Sequence, residues 1–291
     1  MTTTARRLAA ALLAASAAAL ALTVAQAHAG PQISSRPPLP PGPFAEPAMQ
    51  AFLAIRSGDI TAAVCDLKSG RTFLYRPGVL TEEASVAKVE LLATALYEAQ
   101  RDGTTLSAGE QSAAAAAIEQ SDNDAAQDLW NADGGNPGLA SFNAAAGLTQ
   151  IVLDPEGVWG HNQTTALDQV RLLARIALHN DVLSDASRSY ELALMHSVDP
   201  AQDWGVSAGV LPPATVALKN GWLPIKTGGW EINSIGWVDG RHRDYLIAVL
   251  TAGDPDMAYG VTTIADISQL IWAYFRPVRD GGGQQPWGAG I

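Results

Sequence analysis

Strand-type patterns stand at both ends of this chain, and the long span between them reads as helix, so any sheet has to be assembled from segments far apart in sequence. On the N-terminal side, two β-rich runs at about Ile60 to Asp66 and Thr72 to Tyr75 flank Lys68-Ser69-Gly70-Arg71, a hairpin signal. A short helix near Ala48 to Arg56 precedes them. From Ser85 to His196 the pattern is helical almost throughout, broken at Gly103, at Gly134-Gly135-Asn136-Pro137 and at Gly147. Beyond Pro212-Pro213 the period changes. Ala214 to Lys219, Trp230 to Val238 and Asp244 to Thr251 read as three strands, followed by a closing helix at about Thr262 to Phe275. Two strands, a helical block, three strands and a helix predict an α+β chain: one five-stranded antiparallel sheet with flanking helices plus an all-helical subdomain.

The first 29 residues combine Arg6 and Arg7, a short apolar stretch rich in Ala and Leu, and the A-x-A site Ala27-His28-Ala29. They read as a signal peptide, giving a secreted, extracytoplasmic product after cleavage near Ala29. No cysteine follows that site, so neither a lipid anchor nor stable membrane insertion is expected. Paired arginines also occur in twin-arginine leaders, but they are ordinary here and the general export route is favoured. Residues 30–44 read as a Pro-rich linker, 45–276 as one domain, and 277–291, with Gly281-Gly282-Gly283, as a flexible tail. The 262 residues left after cleavage are ample for a sizeable core.

The leader holds two of the 18 basic residues and none of the 29 acidic ones, so the remainder carries a formal charge of −13. Nucleic acid is an improbable partner for such a chain. The lone Cys65, in the run Ile60-Thr-Ala-Ala-Val-Cys, cannot form an internal disulfide and reads as a buried small hydrophobe. His161, His179, His196 and His242 are not paired at ligand spacing, so no metal and no cofactor is expected. A monomer that acts on a small molecule is the expectation.

Chemistry enters at Thr81-Glu-Glu-Ala-Ser-Val-Ala-Lys-Val-Glu-Leu-Leu, where Ser85 and Lys88 stand three residues apart at the start of a buried helix. On one helical face the amine reaches the hydroxyl. A serine hydroxyl needs an adjacent base to act as a nucleophile, and a lysine is one only where its surroundings favour the neutral amine. Alone, the pattern also fits a solvated Ser and Lys. Two further elements follow it in order: Ser121-Asp122-Asn123, and Lys219-Asn220-Gly221 after an apolar run.

The ordered set S-x-x-K, S-D-N, K-x-G resembles the signature of the class A β-lactamases and penicillin-binding proteins. The likeness runs from about Ala45 to Phe275 and includes Asp66-Leu-Lys-Ser-Gly-Arg-Thr-x-x-Tyr75. It implies a β-lactamase-like fold with the catalytic groups between sheet and helical block, and a serine hydrolase that attacks amide or lactam carbonyls through a Ser85 acyl-enzyme. By that resemblance Lys88 is base or part of the proton relay, Ser121 passes a proton to the leaving nitrogen, Asn123 holds the substrate amide and the lysine, and Lys219 adds positive charge for a substrate carboxylate. Asp122 ties the loop together. Ser85 N–H and the N–H of Trp222, after Gly221, form the expected oxyanion hole.

Two departures qualify the likeness. Lys226-Thr227-Gly228 matches the third element better in letters, but Pro224 and Gly228-Gly229 leave almost no strand there; Lys219, at the end of Thr215-Val-Ala-Leu-Lys, takes the role, and Lys226 to Gly229 reads as a hairpin turn. Asn220 then replaces the usual hydroxyl residue, although an amide also donates. More important, the family's water-activating glutamate, in an E-x-x-L-N segment, has no counterpart in Val152-Leu-Asp-Pro-Glu-Gly-Val-Trp-Gly-His-Asn-Gln-Thr-Thr. Thr165 begins the next helix there, with Asp168 three residues on. Glu156, the only acid near the right place apart from Asp154, stands between Pro155 and Gly157; it is either a deacylation base or a turn residue, and the turn is favoured. No arginine stands in Glu231 to Val238 to meet a carboxylate. A D,D-peptidase or penicillin-binding enzyme with slow deacylation, or a non-catalytic cell-wall-binding relative, are the alternative readings.

Overall fold

A computed structural model describes residues 41–226 and 228–276 of the chain. The expected signal peptide (1–29), all but the last four residues of the linker (30–44) and the tail (277–291) lie outside the described residues, as does Thr227. Helix α1, Pro47–Leu53, is followed by β1, Asp59–Asp66, and β2, Arg71–Tyr75. A two-residue strand β3, Thr81–Glu82, leads into the helical block: α2 Ala87–Arg101, α3 Ala108–Glu119, α4 Asn123–Ala132 and α5 Asn136–Ala146. Strand β4, Gln163–Thr164, then pairs antiparallel with β3, and α6 Ala166–Ala177 and α7 Asp185–His196 complete the block. Strands β5 Thr215–Pro224, β6 Trp230–Asp239 and β7 Tyr245–Asp254 and helix α8 Met257–Tyr274 close the chain.

The sheet runs β2-β1-β7-β6-β5, antiparallel throughout, so the N-terminal β1 lies against the C-terminal β7 with Ile60 opposite Thr251 and Val64 opposite Ile247. Both faces are covered, which explains why these strands read as near-continuous apolar runs. The period of two sorts their side chains into two cores. Leu246, Ala248 and Leu250 of β7, with Ala63, Ala217 and Ile235, pack toward the helical block. Tyr245, Ile247 and Val249, with Ile60, Val64, Leu218 and Ile232, pack toward α8 and α1. Through the helical block runs α2, buried at every position from Ala87 to Leu96.

Three expectations shift. Strand β5 continues to Pro224, so Lys219 lies mid-strand and is not its last residue. Helix α8 begins five residues before Thr262 because the Asp256 side chain accepts from Tyr259 N at 2.8 Å, a cap the apolar pattern does not reveal. Residues 147–165 are largely loop and the short β4, interrupting the helical span. Cys65 is half-buried against the helical-side core.

Candidate active site

Ser85 sits in a single 3-10 turn, Ala84–Val86, that feeds α2, so its backbone N–H lies at the positive end of a buried helix. Ala84 before it holds φ +50°, a left-handed conformation costly for a residue with a Cβ and tolerated where the surroundings over-determine the turn. Here they do: Asn233 of β6 donates from Nδ2 to Glu82 O at 2.7 Å and Glu83 O at 3.1 Å, and Glu83 N donates to Asn162 O at 2.8 Å. One turn on, the Lys88 amine lies 3.1 Å from Ser85 Oγ.

Ser121 ends the link from α3 in another left-handed conformation, φ +59°, which turns both its carbonyl and its hydroxyl toward Lys88. Asp122 caps α4, accepting from Ala125 N at 2.8 Å, and so fixes Asn123 in the first turn. Lys88 Nζ donates to Ser121 O at 2.5 Å and to Asn123 Oδ1 at 2.8 Å, and lies 3.1 Å from Ser121 Oγ. The alternation of β5 places Lys219 on the side of Ala217, facing the helical block, and its amine donates to Ser121 Oγ at 2.9 Å and Asn220 O at 3.0 Å. The Ser121 hydroxyl thus bridges two lysines. Gly221 follows on the same face, and a Cβ there would stand 2.8 Å from Ser85 N and 2.9 Å from Val86 N, so only glycine lets the strand back onto the Ser85 turn.

Burial holds Lys88 down at about 8 against a weaker opposing pull from Asp122, so roughly a tenth of this amine is free base at pH 7. Lys219, fully buried, is held well below the ordinary lysine range by desolvation and then by the charge of Lys88. Ser121 O and Asn123 Oδ1 accept only, so they claim two amine hydrogens of Lys88. The third position, a lone pair in the neutral amine, is left for the hydroxyls of Ser85 and Ser121. That is the geometry of a base next to a hydroxyl.

The loop from Val152 to Thr165 is closed at its neck by Val152 and Gln163, which exchange backbone hydrogen bonds at 2.8 and 2.9 Å. Asp154 organises it, its carboxylate accepting from Glu156 N at 2.9 Å and Val158 N at 3.2 Å. Glu156 is exposed, as a turn residue would be. The loop presents the indole of Trp159 to the site, with Lys88 Nζ 5.3 Å from a ring centroid and the indole N–H on Gln127 Oε1 at 3.3 Å. Thr165 caps α6, accepting from Asp168 N at 3.2 Å, but the Asp168 carboxylate goes to Arg171 at 2.6 Å and Gln150 N at 2.5 Å instead of back to the cap.

Ser85, Lys88, Ser121, Asn123, Lys219 and Gly221 therefore come together, and Trp222 directly follows Gly221. Asn220 faces the other way: its amide donates to Gln202 O at 2.7 Å and Trp204 O at 3.1 Å, so neither hydrogen is left for a substrate carboxylate. Lys226 is exposed in the turn where Ile225 N donates to Gly229 O at 3.0 Å. Sequence reasoning passed over Asn233, although an asparagine inside an apolar strand is a signal of a buried hydrogen-bonding task. It also passed over Glu83 and Glu90, fully buried and hydrogen-bonded to each other beneath the Ser85 turn. Gln169 donates to Glu83 at 2.9 Å and Asn143 to Glu90 at 2.8 Å. Burial drives both carboxyls up, Glu90 to about 7, so the pair shares a proton near neutrality.

Among the described residues no group of three or more His, Cys, Asp or Glu is arranged to hold a metal, and no helix is long and apolar enough to cross a membrane. Solved structures share the architecture. A class A β-lactamase from Bacteroides cellulosilyticus superposes with a TM-score of 0.70 at 17% identity over 80% of this chain and 98% of that one. The TLA-1 extended-spectrum β-lactamase gives 0.69 at 18%, covering 78% and 96%. At such identities the likeness is one of fold. Among curated proteins, "Putative lipoprotein LppW" of Mycobacterium tuberculosis H37Rv is 28% identical over 236 residues, 76% of this chain and 71% of that protein. The sequence model described as the β-lactamase enzyme family matches residues 100–275, more than half of the chain, and the chain belongs to that family.

Proposed function

We propose that this chain is an exported active-site serine hydrolase that forms an acyl-enzyme on Ser85 and releases it slowly. One observation carries the reading: a buried amine of lowered proton affinity, Lys88, within 3.1 Å of the Ser85 hydroxyl and joined through Ser121 to a second buried amine, Lys219. Lys88 takes the hydroxyl proton as Ser85 Oγ bonds to the carbonyl carbon of an amide or lactam. The carbon–nitrogen bond then breaks, and the proton passes by way of Ser121 to the leaving nitrogen. Backbone N–H groups of Ser85 and Trp222 receive the oxyanion. Lys219 contributes positive charge and Asn123 orients the substrate and Lys88. Release needs a base beside a water, and the loop offers Lys88 an indole where a carboxylate would serve. That feature favours a D,D-peptidase or penicillin-binding type of activity over efficient β-lactam turnover.

The signal-peptide pattern of residues 1–29 and the lipoprotein description of the LppW relative support an extracytoplasmic location. A small β-lactam or D-alanyl peptide-like molecule is the substrate class proposed, acted on by a monomer. Intact-mass analysis after incubation with a labelled penicillin tests the reading. A persistent adduct on Ser85, absent in Ser85→Ala at an unchanged melting temperature, supports slow release. Rapid turnover without an adduct indicates an efficient lactamase, and no reaction at all refutes the hydrolase.

A further inference from the structure

Away from the nucleophile, the turn joining β6 to β7 forms one wall of a cavity of about 730 Å³, completed by the segment ahead of β5 and by the C-terminal part of α8. Arg241, His242, Arg243 and Arg276 line it, and among the described residues no aspartate or glutamate does. The full sequence carries a formal charge of −11. Bringing Arg241 and Arg243 onto one space costs repulsion that an ordinary surface avoids by interspersing acids. Arg241, His242 and Arg243 make no ion pair among the described residues. Of the acids flanking the turn, Asp244 accepts the Trp237 indole N–H at 2.8 Å and Asp239 points no carboxylate into an ion pair. Lys68 adds its ammonium to the same turn by donating to Arg241 O.

Arg243 is set in place. Its Nε donates to Trp272 O at 3.0 Å and its guanidinium carbon lies 4.0 Å from the centroid of the Trp272 ring. Those two contacts fix the guanidinium plane and leave both terminal nitrogens without a protein partner among the described residues. A fixed pair of parallel N–H donors is the arrangement that fits two oxygens of one oxyanion. Burial lowers the proton affinity of Arg243, with Tyr245 acting against it and the charge of Arg276 adding to it. Apart from Gln269 the remaining wall carries no polar side chain, with Leu211 64% exposed beside Pro212 and Pro213. An exposed leucine at the mouth of a cationic cavity suits a ligand with a carbon body as well as a charge.

We propose that this cavity binds an organic phosphate, its oxyanion gripped by the Arg243 fork with Arg241 and His242 alongside and its carbon body against Leu211 and Trp272. Several cations on one space favour a multiply charged phosphate over a single carboxylate. The inference stands independently of the chemistry at Ser85.

Calorimetric titration of the full chain with phenyl phosphate and with benzoate tests it, together with sedimentation on phosphatidylglycerol and phosphatidylcholine vesicles. Phenyl phosphate should bind saturably, more weakly as salt rises, and Arg241→Gln should lose about tenfold in affinity, the loss expected for one charge-assisted contact. Arg243→Lys should lose at least as much, because an ammonium keeps the charge but not the fork. Should Arg243→Lys unfold, Arg241→Gln, which alters an exposed side chain, carries the test by itself. Binding of phenyl phosphate with no vesicle binding assigns a soluble phosphate, and selective sedimentation with phosphatidylglycerol assigns a lipid headgroup. Benzoate binding as tightly as phenyl phosphate, affinity unchanged in Arg241→Gln, or no binding of either phosphate overturns the proposal.

Discussion

Gly221→Ala separates the fit of the nucleophile's turn from the stability of the sheet. The added Cβ would lie 2.8 Å from Ser85 N, 2.9 Å from Val86 N and 3.0 Å from Glu83 O. All three are backbone atoms, so none can rotate aside, and Gly221 itself does not occupy the left-handed region, which leaves space as the reason for glycine. Reaching ordinary contact at about 3.5 Å requires strand and turn to part by roughly half an ångström or more. Overpacking of this kind costs about 1–3 kcal/mol. In a domain of this size that lowers Tm by roughly 2–10 °C. If the Ser85 and Trp222 N–H groups form the proposed oxyanion hole, the effect on chemistry is larger, since parting β5 from the turn disturbs that pair and losing one oxyanion donor costs about 10²- to 10³-fold in rate. The control is Gly236→Ala, whose Cβ would meet Ala217 O at 2.6 Å and the Val206 side chain at 3.1 Å, a similar clash away from the nucleophile. Adduct formation with a labelled penicillin, followed by mass spectrometry beside thermal melts, should show both variants melting lower and only Gly221→Ala acylating slowly. Equal acylation rates in the two variants would refute the reasoning.

Further outcomes follow from the same geometry. Lys219→Ala should slow acylation strongly while Lys226→Ala leaves it nearly unchanged, because only Lys219 touches Ser121; the reverse order would reassign the third motif to the 225–229 turn. Both Glu83 and Glu90 have raised proton affinity when folded, so their contribution to stability is present below the ordinary glutamate range near 4.5 and is lost as pH rises above it, for Glu90 through about 7. For Glu90 this amounts to an order of 3 kcal/mol, so melts should fall between pH 5 and 8 in the native chain and flatten in Glu90→Gln; an identical pH profile in both would sink the shared-proton pair. Stopped-flow hydrolysis of a chromogenic cephalosporin should give a burst followed by a slow steady rate that Glu156→Gln hardly alters. A fast steady rate that collapses in Glu156→Gln would make Glu156 the base.

Much of this arrangement was legible because it depends on local signals. Strand alternation around Ala217 and Lys219 and the turn chemistry at Lys226 to Gly229 separated two competing lysines, of which Lys219 is the one that lies against Ser121. What stayed hidden depends on distant partners. Nothing within Leu218-Lys219-Asn220-Gly221 says that the Asn220 amide will be claimed by Gln202 and Trp204 carbonyls from a preceding loop. Trp159 likewise reads as an ordinary aromatic in a loop, and its place over Lys88 is set by the narrow neck at Val152 and Gln163. Glu83 and Glu90 look solvent-facing by residue type, since carboxyls are seldom buried, and only the packing of α5 and α6 against α2 removes them from water.

Because β1 finds its place only beside β7, the order in which the protein acquires its parts is constrained. The helical block joins contacts that are close along the chain, whereas the sheet must bring position 60 to position 251 before its central ladder exists. Loop-closure entropy opposes that step until the last strand has emerged. Lys219 and Gly221, which complete the surroundings of Ser85, belong to this late-closing part, while Lys88, Ser121 and Asn123 belong to the early one. A chain leaving a ribosome therefore carries Ser85 and Lys88 long before Lys219 and Gly221 can close around them, and the cluster is complete only with the final hairpin.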